Sequence, residues 1–181
     1  LSLYNSDLDR FFIFGNCLWN LYECVRIFAH LSNFNEHGNF CGFHGVCEHA
    51  DELLGLEGEA ASVYFSVFDD LILQQKDVFY FHGRNKRPPL DYVNAMLSFG
   101  YSLLAGMCGA ALEAVGLDPY VGFFHTDRPG RMSLALDLME EFRSVMVDRF
   151  VLTLINKKIM KEKYFIKKEN EAVIMTEEGR K

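Results

Sequence analysis

The sequence lacks any apolar run long and uninterrupted enough to predict a membrane-spanning helix, and its first residues carry neither a basic region nor a cleavage signal. A bilayer span needs about 20 consecutive apolar residues, and a secretory leader needs both of those features. The five cysteines are odd in number, so they cannot all pair within one chain. We therefore expect a protein of the reducing cytoplasm, with no membrane partner.

Basic residues are scarce in the first part of the chain. Residues 1–80 hold 3 basic and 12 acidic residues, a net charge of −9. Residues 81–181 hold 15 basic and 13 acidic residues, a net charge of +2, so the whole chain has a net charge of −7. The overall charge argues against a nucleic-acid partner. The basic residues nevertheless cluster at residues 84–87, at Arg128 and Arg131, and at residues 157–168, so a DNA-binding face is compatible with the sequence.

The composition changes near residue 50. A chain of 181 residues, of which 50% are hydrophobic, is long enough for a globular domain with its own core. Residues 7–48, however, are rich in Phe, Asn, Cys and His and show weak periodicity. We therefore divide the chain into a segment over residues 1–49 and a helical domain over residues 50–181. Because the sequence starts at Leu1 rather than at Met, we expect it to be the C-terminal part of a longer protein.

The first predicted helix follows residue 51, where apolar residues recur at steps of three and four, as on one face of a helix. This apolar stripe consists of Leu53, Leu56, Ala60, Tyr64, Val67 and Leu71. A second helix is predicted from Asp91, a residue type suited to the N-cap, to about Gly116, where glycine suits the position after the C-cap.

Two more helices and a hairpin complete the predicted fold. Ser133 is expected to cap a third helix, and a fourth over residues 149–159 is expected to continue it. The last 20 residues predict a small β-hairpin around residues 169–171. The fold class is therefore mainly α, with a small C-terminal β-hairpin.

Glu57 is the first candidate for chemistry. At about 100° per residue it falls within the apolar stripe of the first helix, whereas Glu59 falls off it. A carboxylate on a core-facing stripe must be paired, neutral or bound to a cation. Gly55 and Gly58 flank it and remove side-chain bulk, which allows close approach of a substrate or another helix. An ion pair with Arg or Lys is the alternative, and periodicity alone favours it.

Three further residues supply candidate ligands in the second part of the chain. His125 follows an apolar run and is either a ligand or a histidine packed in the core. Asp137 and Glu140 lie three residues apart, so both point to one side of a helix. Carboxylates with one imidazole suit Mg²⁺ or Mn²⁺. The alternative for the carboxylates is a solvated acidic face, with Glu140 or Glu141 near Arg143.

A zinc site is the competing metal hypothesis. It would use cysteines and histidines of the N-terminal segment, namely His37, Cys41, His44, Cys47 and His49. Their spacing matches no standard zinc-ligand pattern, so zinc is the weaker hypothesis. An interaction module built on residues 37–49 would contain zinc when purified.

From about residue 50 to residue 181, the motifs resemble those of one known family, the CRISPR-associated integrase. This is the metal-dependent nuclease subunit of the complex that acquires spacers. The motifs follow in order as LGLEGEAA at 54–61, GRNKRPPLD at 83–91, VNAMLSFGY at 93–101, AALE at 110–113, GLDPYVGFFH at 116–125, DRPGR at 127–131, SLALDLMEEF at 133–142 and LINKK at 154–158. The version found with subtype C of the type I systems is the most similar.

The resemblance implies a fold and a ligand set. The fold is an α-helical catalytic domain, preceded in the family by a β-rich dimerisation domain that we expect to be absent from this chain. The family's ligands are a Glu in Gly-x-Glu-Gly, a His after Gly-Phe-x and an acidic residue on the following helix. Matched position by position, these are Glu57, His125 and Glu140. Asp137 matches a nearby acidic position that is less certainly a ligand.

The resemblance also implies a reaction and partners. The reaction is transesterification with Mg²⁺ or Mn²⁺, in which spacer 3′-hydroxyl ends are joined to repeat DNA during CRISPR adaptation, an antiviral defence; attack by water would appear as nuclease (hydrolase) activity. The implied partners are double-stranded DNA, a second copy of the integrase and a small second adaptation subunit. Candidate phosphate contacts are Arg84, Lys86, Arg87, Arg128 and Arg131. Their alternative role is in surface solubility or ion pairs.

An inactive protein is the alternative function. In this hypothesis the chain is a truncated remnant that keeps the ligand pattern and binds metal at most. Residues 7–48 do not match the family, whereas residues 4–6 (YNS) resemble it again. We interpret residues 7–48 as the product of a reading-frame excursion between two shifts. Translation of the coding DNA in the other frames tests this, since it should produce family-like helices.

Overall fold

The computed structural model describes residues 40–42, 45–47, 50–123, 125 and 128–181, with the backbone alone at 40–42, 45–47, 50–54, 56, 57 and 60. The chain divides into two compact units, Leu1–Val67 and Phe68–Lys181. The expected division of the chain at residue 49 stays a prediction.

The first unit contributes two short strands and one helix. Strands β1 (Phe40–Gly42) and β2 (Gly45–Cys47) pair antiparallel, with Phe40 opposite Cys47. Helix α1 (Ala50–Ser66) follows, as the three- and four-residue spacing predicts. The predicted apolar stripe runs past the end of α1, because Phe68–Leu71 forms a 3₁₀ turn at the start of the second unit.

The second unit is built on three helical segments and a hairpin. Helix α2 (Tyr92–Ala114) precedes α3 (Ser133–Phe142), the π-helical segment Arg143–Asp148 and α4 (Arg149–Asn156). Strands β3 (Phe165–Lys167) and β4 (Val173–Met175) form an antiparallel hairpin near the C-terminus. The mainly α fold class with a small hairpin is confirmed.

Helix α2 begins and ends at the predicted residues. The Asp91 carboxylate accepts a hydrogen bond from the backbone N–H of Asn94 at 2.7 Å, which makes Asp91 the N-cap. At the other end Gly116 adopts φ = +79°. Its N–H donates to the carbonyl of Glu113, and the N–H of Leu117 donates to that of Leu112. This pattern is the Schellman motif, in which glycine takes the left-handed position at little steric cost.

The start of α3 differs from the prediction. Met132, not Ser133, is the N-cap residue, and no side chain caps the helix. The carbonyl of Pro119 instead accepts hydrogen bonds from the N–H groups of Leu134 and Ala135. The prediction that Ser133 caps α3 was wrong because a carbonyl from a distant loop satisfies these donors, and sequence spacing does not reveal such a contact.

The continuity of the third and fourth helices is confirmed, but the join is irregular. A π-helical turn over Arg143–Asp148 links α3 and α4, and α4 ends at Asn156, before the predicted residue 159. The wider turn rotates the residues that follow it relative to a regular helix. Asp148, the last residue of this turn, is 1% exposed.

The core of the second unit lies between α2, α4 and the loop before α2. Its largest fully buried apolar side chains are Phe68, Ile72, Phe79, Val93, Leu97, Leu152 and Ile155. The hairpin joins this core through aromatic contacts, since the rings of Tyr92 and Phe165 stack at 4.5 Å and Phe79 lies 5.9 Å from Phe165.

Helix α2 is more apolar than the sequence analysis expected. Among the described residues it alone is long and apolar enough to satisfy the length and composition test for a membrane span. Core helices of globular proteins satisfy the same test. Its buried side chains, among them Val93, Leu97 and Leu104, belong to the core of the second unit.

Two glycines of α2 provide a matched test of helix packing. A Cβ at Gly100 would lie 2.5 Å from Cγ1 of Val147, whereas a Cβ at Gly106 would meet nothing within 4 Å. Alanine has the same helix-propensity advantage of about 1 kcal/mol at either position. We expect the Gly106→Ala variant to be more stable than the Gly100→Ala variant. Its free energy of unfolding should be higher by about 1–3 kcal/mol, because the methyl group at position 100 overpacks the interface with Val147. Urea unfolding followed by circular dichroism measures the difference, and equal stabilities would contradict the close approach.

Candidate functional site

The three predicted metal ligands are divided between the two units. Glu57 lies within α1 of the first unit, but its side chain is outside the described residues. His125 and Glu140 belong to the second unit, His125 in the loop before α3 and Glu140 on α3 itself. A site formed by all three ligands therefore stays a prediction. The side-chain geometry that the structure describes belongs to the second unit.

Asp137 links His125 to helix α3. Its Oδ1 lies 2.7 Å from Nδ1 of His125 and accepts a hydrogen bond from the backbone N–H of His125 at 3.1 Å. Its Oδ2 accepts a hydrogen bond from the N–H of Phe123 at 2.6 Å. The Asp137 side chain is 9% exposed and that of His125 is 29% exposed. His125 therefore contacts Asp137 directly, and the ligand roles of His125 and Glu140 stay a prediction.

The loop before α3 approaches the helix closely at Gly122. A Cβ there would lie 2.6 Å from Cβ of Ser133 and 2.8 Å from the carbonyl oxygen of His125. Neither atom is the far end of a flexible side chain, so a larger residue would push the loop away from the helix. Glycine at this position allows the loop to reach the Asp137 carboxylate.

Glu140 lies one turn after Asp137 and pairs with Arg143. The distances from the guanidinium to the two carboxylate oxygens are 2.9 and 2.8 Å, and both side chains are mostly buried. The alternative that the sequence left open, an ion pair of Glu140 with Arg143, is therefore present. It compensates the charge of a partly desolvated carboxylate. Since residues three apart share a helix face, Glu140 and Asp137 still point to the same side of α3.

Tyr101 connects this ion pair to the basic loop. The guanidinium carbons of Arg84 and Arg143 lie 5.2 and 5.6 Å from its ring centroid, within cation–π range. Its hydroxyl donates a hydrogen bond to the buried carboxylate of Asp148. The sequence analysis did not identify this arrangement.

The basic loop over residues 83–87 is attached to α2 by a buried asparagine. Asn94 is 0% exposed, and its amide oxygen accepts hydrogen bonds from the Arg84 guanidinium at 2.7 Å and from the N–H of Asn85 at 3.1 Å. Arg84 also donates to the carbonyl of Asn85 and to the hydroxyl of Ser98. Arg84, predicted as a phosphate contact, thus has internal acceptors as well.

Positive charge accumulates around Lys86. Lys86 is exposed, and partial burial of its ammonium is the largest cause that lowers the pKa of Lys86. Repulsion from Arg84 and Arg143 lowers the pKa of Lys86 further, and Glu140 opposes them. Burial likewise lowers the pKa of Arg84. The basic loop and Glu140 are therefore electrostatic neighbours.

The other predicted phosphate contacts lie outside this cluster. Arg87 and Arg128 are exposed and Arg131 is half-buried. The N–H of Arg131 donates to the carbonyl of Arg128 in the turn that leads to α3. Arg143, which the sequence analysis placed near Glu140 or Glu141 only in the alternative of a solvated acidic face, belongs to the site as the partner of Glu140.

Comparison with known proteins identifies the family. The family model of the CRISPR associated protein Cas1 matches residues 23–181. The chain belongs to the Cas1 family. The resemblance seen in the motifs is confirmed, and the assignment to subtype C stays a prediction.

Two relatives are similar to much of this chain. A "CRISPR-associated endonuclease Cas1 2" of Rhodospirillum rubrum is 57% identical over 134 residues, which are 74% of this chain and 39% of that protein. A "CRISPR-associated endonuclease Cas1" of Leptospira interrogans is 52% identical over 134 residues, 74% of this chain and 52% of that protein. The chain thus spans about half or less of the length of these relatives.

Solved structures share the fold. The Cas1 protein TM1797 of Thermotoga maritima has a TM-score of 0.70 and 27% identity, over 97% of this chain and 56% of that one. A casposase bound to integration product has a TM-score of 0.69 and 31% identity, and the match covers 92% of this chain and 47% of that one. The partial Cas6-RT-Cas1–Cas2 complex has a TM-score of 0.66 and 30% identity, and the match covers 74% of this chain and 40% of that one.

The described part of the Cas1 site is compatible with a divalent cation. No three His, Cys, Asp or Glu side chains among the described residues form a metal-binding group by themselves. The family's ligand set also needs Glu57, whose side chain lies outside the described residues. The chemistry fits nonetheless, because a metal-ligating histidine commonly binds a carboxylate through its other ring nitrogen, as His125 does with Asp137. The side chains of the alternative zinc cluster at residues 37–49 lie outside the described residues.

The electrostatic neighbourhood of Lys86 can be tested by substitution. We expect Arg143→Gln to raise the pKa of Lys86 toward its ordinary value, because the change removes a repelling cation and a competitor for Glu140. Carbon NMR of reductively methylated lysines measures the pKa. Arg149→Gln is the matched control, since Arg149 is not among the charges that shift Lys86. An unchanged pKa of Lys86 in Arg143→Gln would contradict the proximity of these groups.

Proposed function

We propose that this Cas1 chain carries a metal-dependent site that cuts and joins DNA during CRISPR adaptation. The observation that carries the proposal is the pairing of His125 with Asp137, one helical turn from Glu140 and beside a cationic loop. Imidazole and carboxylate donors suit Mg²⁺ or Mn²⁺. The adjoining cations suit the phosphates of a nucleic acid.

The proposed ligands are Glu57, His125 and Glu140. When bound, a divalent ion supplies the Lewis acidity that activates an attacking hydroxyl or water and stabilises charge on the phosphate. The chain's own part is to orient these donors. Arg143 holds the Glu140 carboxylate at 2.8–2.9 Å on one side, and Asp137 holds the His125 ring. Both donors are therefore restricted before a ligand arrives, which lowers the entropic cost of binding.

The proposed reaction is transesterification. The 3′-hydroxyl of a spacer end attacks a phosphate of the repeat, one new phosphate ester forms, and the 3′-oxygen of the cut repeat strand leaves. Attack by water on the same phosphate gives nuclease activity. Two comparisons support the proposal, since the relatives are named endonucleases and the casposase structure contains an integration product.

The basic residues are proposed to hold the DNA backbone. Lys86 lies near Glu140, where it would meet a phosphate close to the reacting centre. Arg87, Arg128 and Arg131, together with the part of Arg84 that faces outward, would contact phosphates further along the duplex. A homodimer and a small second adaptation subunit are proposed as protein partners. The complex of a Cas1 with Cas2 supports the second of these two partners.

Metal binding is tested most directly by calorimetry with Mn²⁺. We expect the wild-type chain to bind about one ion per proposed ligand set, and His125→Ala to lose that binding because an imidazole donor is removed. His82→Ala is the matched control, since His82 is exposed and its ring contacts Tyr80. Circular dichroism of each variant establishes that it is folded.

Two outcomes separate the candidate functions. Binding that is lost only in His125→Ala, together with Mn²⁺-dependent nicking or joining of DNA, supports the enzyme. Metal binding without any activity on DNA supports the inactive remnant. A folded wild-type chain that binds no Mn²⁺ would overturn the metal site.

Phosphate contact by Lys86 predicts a salt effect. The logarithm of the DNA-binding constant should fall linearly with the logarithm of salt concentration, and Lys86→Gln should reduce that slope by about 1. Lys181→Gln is the matched control, because Lys181 is exposed and paired with Glu177 at 3.0 Å. Fluorescence anisotropy with duplex DNA over a salt series measures both slopes. Equal slopes for wild type and Lys86→Gln would exclude the contact.

A further inference from the structure

Asp137 makes contacts that differ from those of the other α3 carboxylate in the site. Glu140 pairs with an arginine side chain on its own helix, whereas Asp137 binds a loop that precedes the helix. The Asp137 side chain is only 9% exposed, and a buried carboxylate is costly unless hydrogen bonds stabilise it. Two backbone N–H groups of the loop donate to this side chain, and Nδ1 of His125 lies within hydrogen-bond distance of it.

The three contacts fix both the position and the orientation of the His125 ring. Oδ1 of Asp137 meets the backbone N–H of His125 at 3.1 Å and its Nδ1 at 2.7 Å, so one oxygen holds the residue at two points. Oδ2 meets the N–H of Phe123 at 2.6 Å and anchors the chain just before the histidine. A carboxylate oxygen at 2.7 Å suits a protonated Nδ1, and in that tautomer of the imidazole the lone pair lies on Nε2.

The close approach of the loop at Gly122 makes these contacts possible. A Cβ at this position would lie 3.1 Å from Oδ2 of Asp137 and closer still to Ser133. The loop therefore lies directly against the first turns of α3. Since Asp137 and Glu140 are three residues apart on that helix, the contact also sets the position of His125 relative to Glu140.

We propose that Asp137 is a positioning residue, which holds His125 as the Nδ1–H tautomer and leaves Nε2 as the donor for a divalent cation. This inference rests on the proposed metal site. It assigns a role to the acidic position for which the sequence left a ligand role open. Direct coordination by Asp137 is the competing role. The two roles differ in the metal-free protein, where a ligand alone would not determine the tautomer of His125.

The test compares Asp137→Ala with Asp118→Ala in the 181-residue chain. Asp118 is the matched control, because it is an exposed aspartate of the same loop whose carboxylate accepts a hydrogen bond from the N–H of Tyr120 at 2.9 Å. The first measurement is the ring-nitrogen NMR spectrum of metal-free protein labelled at its six histidines, with His125 assigned from His125→Ala. The second is the Mn²⁺ dissociation constant by calorimetry.

We expect wild type and Asp118→Ala to show His125 as the Nδ1–H tautomer, and Asp137→Ala to lose that signature. We also expect Asp137→Ala to weaken Mn²⁺ binding about 10–100-fold, the usual effect of removing a residue that orients a metal ligand. An Nε2–H tautomer in wild type would overturn the inference. So would an unchanged tautomer in Asp137→Ala, even with Mn²⁺ binding lost, because that pattern indicates a direct ligand.

The design separates this inference from the proposed function. If wild type binds no Mn²⁺, the proposed metal function fails, and the metal-free ring spectrum still decides whether Asp137 holds His125. If Asp137→Ala does not fold, Asp137→Leu replaces it. The leucine side chain is close to aspartate in size but has no hydrogen-bond acceptor, so all three contacts are lost. A His125 tautomer unchanged in Asp137→Leu would overturn the inference.

Discussion

The close packing of α2 against the continuous helix formed by α3, the π-helical turn and α4 is the constraint on which the second unit depends. At Gly100 the two helices approach so closely that a methyl group would meet Val147 at 2.5 Å. At Gly109 the sulfur of Met132 lies 3.0 Å from the position of a Cβ. This approach brings Tyr101 of α2 within reach of Arg143 and Asp148 on the partner helix. The residues around Glu140 are therefore assembled by helix packing.

Buried polar groups connect the loops of the site to this helical scaffold. Asn94 on α2 holds Arg84 and Asn85 of the basic loop, and Asp137 on α3 holds the loop that carries His125. In each case a side chain on a helix accepts hydrogen bonds from loop donors that are partly buried. Unpaired donors of this kind cost about 1–3 kcal/mol each. Loop position and stability are thus linked, which favours a rigid arrangement of candidate ligands and cations before DNA or metal binds.

Membership of the Cas1 family and the geometry of the second unit support different parts of the functional argument. The family relation, found over residues 23–181, supports DNA chemistry in CRISPR adaptation. The geometry supports particular roles: an oriented imidazole at His125, a paired carboxylate at Glu140 and a crowded ammonium at Lys86. The ligand role of Glu57 rests on its motif and on the backbone of α1 alone.

The sequence by itself determined the local features, because they depend on neighbouring residues. The Asp91 cap, the glycine turn at Gly116 and the C-terminal hairpin were all predictable from residue type and spacing. The nearness of His125 to an acidic residue of α3, observed for Asp137, was predictable only through the family motifs. Tertiary structure alone decided the carbonyl cap of α3 and the Arg84–Tyr101–Arg143 arrangement, since each joins groups distant in the chain. Sequence spacing carries no information about such contacts, because packing and the pairing of buried polar groups select them only once the helices meet.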